Sequence, residues 1–205
     1  MNFYQGKIYH VYNRGNNRQK IFFERENYLF FLKKMRTHLS DHCDLLAWCL
    51  MPNHFHWLIR VHDNYGQNSD DYEEEKGAPH IHPLNRSISV ILSSYTKAIN
   101  RMYDRTGSLF QKRTKAKELE LNERIDDQYP LICFLYIHQN PMKAKLANKL
   151  GEWEFSSYQD YSGLRSGSLC NKKLAADLLE LPTDHKKFMA LSYQTLPDDL
   201  IDGLF

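Results

Sequence analysis

His54 and His56 flank a phenylalanine in the segment His54-Phe55-His56-Trp57-Leu58-Ile59-Arg60-Val61. In an extended strand, a period of two sends His54, His56, Leu58 and Arg60 to one side and Phe55, Trp57, Ile59 and Val61 to the other. The second set is a core face. The two imidazoles then project together with Cα atoms about 7 Å apart, close enough to converge on one divalent ion. Two nitrogens leave such a site incomplete. Tyr136 and Asn140 lie in the apolar stretch from Tyr129 to Pro141 and are four residues apart, so on a helix they share one face a turn apart. An amide able to bind a cation then stands beside a phenol. Each feature has a plainer reading: two partly exposed sheet histidines, and a helical tyrosine whose ring packs while its hydroxyl reaches the surface.

These side chains need a strand and a helix to present them, and the chain supplies both. Residues 7–14 are rich in β-branched and aromatic side chains and stop at Gly15-Asn16-Asn17, a strand and a turn. Tyr28, Leu32, Met35 and Leu39 recur at helical spacing. Cys43 to Met51 is almost wholly apolar and breaks at Pro52-Asn53 before the histidine strand, which predicts a hairpin. Helical spacing returns with Ile88, Ile91, Leu92, Tyr95, Ile99 and Met102 and ends near Gly107; Ser108 to Leu119 reads as a further strand or extended arm. A helix over about 123–139 should stop at Pro141.

Strand, helix, hairpin, helix, strand is the order of an α+β, ferredoxin-like (RRM-like) domain: an antiparallel sheet with helices on one face and the other face free for a ligand. The expected division is a domain over 1–150, interrupted by a surface insertion at 63–85, and a tail over 151–205 with short helical patterns near 172–180 and 184–193, read as a C-terminal helical appendage.

Composition narrows the classes. A 205-residue chain that is 42% hydrophobic, 25% charged and 13% aromatic is neither disordered nor collagenous, and it has no apolar run long enough to cross a bilayer. Cys43, Cys49, Cys133 and Cys170 lack CxxC spacing, and no export signal is visible, so a cytoplasmic location is expected. The net charge of +2 hides a division, because Asp70, Asp71, Glu73, Glu74 and Glu75 share one segment with a single lysine, Lys76, and the remainder carries about +6. Between residues 97 and 117 seven basic side chains face one acid. Lys97, Arg101 and Arg105 at four-residue spacing make a cationic helical stripe suited to phosphates, and Arg113 follows in the adjoining arm.

Four segments in order carry a resemblance: Tyr9-His10-Val11-Tyr12-Asn13-Arg14-Gly15-Asn16-Asn17-Arg18, Met51-Pro52-Asn53-His54-Phe55-His56-Trp57-Leu58-Ile59, Gly107-Ser108-Leu109-Phe110-Gln111-Lys112-Arg113, and Tyr136-Ile137-His138-Gln139-Asn140-Pro141-Met142-Lys143-Ala144. Over about residues 5–165 the chain resembles the single-tyrosine HUH transposases, most closely the REP-associated branch. The resemblance implies that His54 and His56 bind Mg²⁺ or Mn²⁺ and that Tyr136 attacks single-stranded DNA. It implies Asn140 as third ligand, with Gln139 the runner-up. The implied partner is single-stranded or hairpin DNA, with Arg14 and Arg18 as candidates to read bases near the cleavage site and Lys97, Arg101, Arg105 and Arg113 to hold the backbone. Monomer and homodimer both occur in such enzymes, so the assembly stays open. Two other classes compete: a noncatalytic single-stranded nucleic-acid-binding module on a ferredoxin-like sheet, and a histidine-metal hydrolase that uses water and dispenses with Tyr136. Zinc-deaminase chemistry lacks its HxE and PCxxC.

Overall fold

The computed structural model describes residues 1–63, 83–120 and 129–205. Most of the insertion expected at 63–85, and the first part of the helix expected from 123, lie outside the described residues. Four strands, β1 (Ile8–Arg14), β2 (Cys43–Met51), β3 (His54–Val61) and β4 (Lys115–Leu119), form one antiparallel sheet in the order β2-β3-β1-β4. With α1 (Arg25–Leu39) after β1 and α2 (Pro83–Met102) after β3, this is the ferredoxin-like arrangement. Pro83 and Leu84 therefore belong to α2 rather than to an insertion, and Leu84 is buried.

The first face is built as the spacing requires. In α1, Glu24 and Asn27 form a reciprocal cap, and Tyr28, Phe31, Met35 and Leu39 turn inward. From α2, Ile88, Ile91, Tyr95 and Ile99 meet them, and both helices bury Val11, Phe55, Trp57, Ile59 and Val61 of the sheet. The Tyr95 hydroxyl donates to the Ile21 carbonyl at 2.6 Å, so its polar end is satisfied inside the core.

The second face corrects the expectation of a bare sheet. Here α3 (Tyr129–Lys143) packs over β2 and β3, and its Cys133, Phe134 and Ile137 share a second core with Leu46, Ala47, Cys49, Met51 and Leu58. The helix runs through Pro141 instead of stopping there. Proline removes one N–H only near the end; Ala144 N–H still reaches the Asn140 carbonyl at 2.9 Å, and Lys145 in the left-handed region (φ 57°) closes the turn.

Nor is the tail a loose appendage. Short helices α4 (Tyr158–Tyr161), α5 (Lys172–Leu179) and α6 (His185–Ser192) contribute Tyr158, Ala175, Leu179 and Phe188 to the second core, and Leu204 joins them from the turn after α7 (Asp198–Asp202). Residues 155–157 lie along the free edge of β2: Leu50 N–H donates to the Phe155 carbonyl and Ser157 N–H to the Trp48 carbonyl, both at 2.9 Å. That contact covers a strand edge which would otherwise be an invitation to pair with another chain. Arg165 grips the buried Asp160 carboxylate through Nε at 2.6 Å and Nη2 at 3.0 Å, and also donates to the Glu154 and Ser156 carbonyls. Among the described residues no helix is long and apolar enough to cross a membrane.

Two predictions test this packing. Phe188 is fully enclosed beside Tyr158 and Tyr161, so Phe188→Ala should cost about 3 to 5 kcal/mol in urea unfolding, whereas a loss below about 1 kcal/mol would return the tail to appendage status. His138 is buried with Nε2 at 2.8 Å from Ser157 Oγ, and desolvation lowers its pKa to about 3. Unfolded histidine titrates near 6.5, so the unfolded chain takes up protons first, and the stability present above about pH 6.5 should fall as pH drops toward 3. Urea midpoints measured across that range should show the loss, and His138→Gln should lessen it by that residue's share, the other buried histidines keeping the rest.

Candidate active site

The pairing of β1 with β3 sets the site: Arg14 lies opposite His54, Tyr12 opposite His56 and His10 opposite Leu58. On the same register Lys115 of β4 pairs with Tyr12. Alternation then puts His10, Tyr12, Arg14, His54, His56 and Lys115 on one side of the sheet, the side that α3 covers only in part. The two histidines converge as their spacing requires, with ring centroids 5.0 Å apart and planes nearly perpendicular.

Tyr136 comes down from α3 onto this pair. Its ring lies edge-on to His56 at 5.6 Å between centroids and 6.4 Å from that of His10. Asn140, one turn on, is buried against both Tyr136 and His54: its amide favours the charged form of each, lowering the phenol's pKa and raising the imidazole's. Yet its Nδ2 makes no properly formed hydrogen bond. That nitrogen is a donor, so a cation would have to take the amide oxygen instead. Gln139 is turned to the tail: its Nε2 donates to the Ser192 and Gln194 carbonyls at 2.9 and 2.8 Å, binding α3 to it.

A cavity of about 300 Å³ opens beside these groups, lined by His54, His56 and Tyr136 together with Arg14, Arg113 and Lys115. No acidic side chain stands among the described residues lining it. The electrostatics suit an anion. Burial first, then the neighbouring positive charge of Arg14, pushes His54 down to about 4; burial first, then His10, His54 and Arg14, pushes His56 well below its ordinary value, so both rings are neutral near pH 7 and keep a lone pair. Burial raises the Tyr136 phenol, partly offset by Asn140, so ionisation there needs added positive charge.

Among the described residues no group of three or more His, Cys, Asp or Glu could hold a metal ion, so a divalent cation here would rest on two histidines and an amide oxygen. His54 directs Nδ1 to the Asn53 side-chain oxygen at 2.6 Å, and His56 directs Nδ1 to His10 Nε2 at 2.8 Å. His56 therefore spends one nitrogen on the protein and retains the other, the pattern that orients ligating histidines, while the His54 ring meets both the Asn53 and the Asn140 side chains. With the Asn140 amide this gives two nitrogens and one amide beside the phenol.

Other expected contacts divide. Arg14 and Arg113 reach the cavity. Lys97 and Arg113 line a second, larger cleft between α2 and the 107–114 segment, which adjoins the first through Asn13, Gln111 and Arg113. Arg101 is exposed in the last turn of α2, and Arg18 sits in the turn after β1 with a left-handed backbone (φ 57°), its carbonyl accepting from Asn53. Arg105 does not extend the helical stripe. The helix ends at Met102, Asp104 turns left-handed, and Arg105 folds back to donate to Gln19 at 2.7 Å over the Phe23 ring. Sequence reading missed His10, Tyr12, Lys115 and Phe205. The first two were legible as i, i+2 partners of Arg14 in β1, whereas Phe205 reaches the cavity only through the packing of the tail.

No protein-family model matches this chain, and no curated protein matches it in sequence. Among solved structures it is similar to one titled as the REP-associated tyrosine transposase bound to a REP hairpin, with a TM-score of 0.56 and 16% identity over 90% of each chain. At that identity the likeness establishes a shared fold over nearly the whole length, tail included.

Proposed function

We propose that this chain is a DNA strand transferase of the HUH single-tyrosine type, acting on single-stranded or hairpin DNA. The observation that carries the reading is the meeting of Tyr136, from one helix, with His54 and His56, from a strand, at the edge of a cation-lined cavity. The similar structure was solved with a hairpin bound, which supports the same kind of partner here.

In this reading the Tyr136 oxygen attacks a backbone phosphorus. The new bond is Oη–P, the bond broken is P–O3′, the phenolic proton passes to water, and the departing oxygen takes a proton from water and leaves as a 3′-hydroxyl. The product is a 5′-phosphotyrosine, and attack on it by another 3′-hydroxyl rejoins strands without ATP. His54, His56 and Asn140 would hold Mg²⁺ or Mn²⁺, whose charge would offset that of the phosphate and favour the phenolate. Arg14, Arg113 and Lys115 hold flanking phosphates, and Tyr12 and Phe205 offer rings on which a splayed base can stack. Lys97 and Lys112 extend that surface along the adjoining cleft. The four cysteines are free and buried, in keeping with work in a reducing cytoplasm.

Incubation with a labelled single-stranded hairpin and Mn²⁺ should yield a covalent protein–DNA adduct that Tyr136→Phe reduces at least about 10³-fold. Cleavage without an adduct, unchanged in that variant, would point to a water-using hydrolase; binding by hairpins of many sequences with no cleavage would point to a noncatalytic module. For the binding surface, Lys115→Ala should weaken hairpin binding similarly across sequences and lower the slope of log K against log salt by about 0.7 to 0.9. An unchanged slope would remove Lys115 from the contact.

A further inference from the structure

Two groups stand in line behind His56, the Leu204 carbonyl and the His10 ring. The Leu204 main-chain carbonyl, in the turn after α7, lies 3.1 Å from His10 Nδ1, and His10 Nε2 lies 2.8 Å from His56 Nδ1. His10 is wholly buried and His56 nearly so. His10 is held flat between rings, stacked on Tyr12 at 4.7 Å and on His56 at 5.0 Å.

The chemistry of these groups allows one direction for the protons. A carbonyl oxygen only accepts, so the His10 nitrogen facing Leu204 carries the hydrogen. In a neutral imidazole the other nitrogen is then an acceptor, so His10 Nε2 receives a hydrogen bond and His56 Nδ1 must supply it. The His56 hydrogen is thereby placed on the inner nitrogen, and its lone pair is left on Nε2, the nitrogen free of the relay.

We propose that His10 is a positioning residue which, anchored by the Leu204 carbonyl, holds His56 in the Nδ1–H tautomer so that its Nε2 lone pair serves as a cation ligand. The relay reaches from the turn after α7 through β1 to β3, which makes the tail a working part of the site. A histidine in water prefers the opposite tautomer, so without His10 the ring would present N–H where a ligand nitrogen is needed, and it would lose its orientation as well. The proposal rests on His56 being a cation ligand, and its test separates the two.

Long-range ¹H–¹⁵N correlation spectra of the metal-free, uniformly ¹⁵N-labelled chain report each tautomer directly. Both His10 and His56 should appear as Nδ1–H forms. In His10→Leu the His56 ring should move to the Nε2–H form, and the Kd for Mn²⁺, read by calorimetry or electron paramagnetic resonance, should rise roughly 10- to 100-fold. His10→Gln, whose amide can donate to Leu204 and accept from His56, should restore both readouts in large part. A purely structural role for His10 would leave the His56 tautomer unmoved in a folded variant. The proposal is overturned if His56 is Nε2–H in the unaltered chain, or if His10→Leu folds and changes neither tautomer nor Mn²⁺ affinity. Should the unaltered chain show both Nδ1–H forms and bind no Mn²⁺, the relay would stand while the role of His56 as ligand, and with it the cation reading of the site, would fall.

Discussion

The antiparallel pairing of β1 with β3 is the constraint on which everything else depends. It brings Arg14 opposite His54 and Tyr12 opposite His56, and so gathers guanidinium, phenol and imidazoles on one side of the sheet. Because side chains alternate along a strand, a slip of one residue would bury those polar groups against α1 and α2 and expose Val11 and Tyr9. The apolar alternation in β3, Phe55, Trp57, Ile59 and Val61, makes that slip prohibitive, since all four are fully buried in the first core. Core packing on one face thus determines chemistry on the other.

The second face is divided between stability and access. Over β2 and part of β3 it is sealed by α3 and the tail, with Phe134, Leu179 and Phe188 filling the space; over β1 and β4 it stays open as the cation-lined cavity. Tyr136 sits at the boundary, half-buried. That position explains its electrostatics: the helix that delivers the phenol also desolvates it, and the surrounding Arg14 and Lys115 supply positive charge without a competing acidic side chain. Burial on that side keeps His54 and His56 neutral, the form in which an imidazole can bind a cation.

Local patterns in the chain were readable and long-range ones were not. The Pro52-Asn53 turn, the two faces of β3, helix α1, and the tail helices near 172–180 and 184–193 all follow from spacing and breakers, and the structure has them within a residue or two. That His54 projects with His56, and Tyr136 with Asn140, was legible because i, i+2 on a strand and i, i+4 on a helix are each rigid rules, whereas the meeting of the two pairs was expected from the resemblance of the four segments to a known family. His10 was not, since its importance comes from a strand partner more than forty residues away and from a carbonyl in the tail. Arg105 was misplaced because four-residue spacing continues past a helix end that Asp104 enforces through its left-handed backbone. The second face was read as bare because apolar residues scattered through short tail helices announce burial without saying what they cover.

The central claim is that a phenolic oxygen and a cation held by two imidazoles meet in one cavity. Crystals grown with Mn²⁺ and measured for anomalous scattering test it most directly. The account predicts one anomalous peak bonded to Nε2 of both His54 and His56, with the Tyr136 hydroxyl facing the same cavity. A peak elsewhere, an empty map between the two histidines at saturating Mn²⁺, or a Tyr136 side chain turned out of the cavity would contradict it.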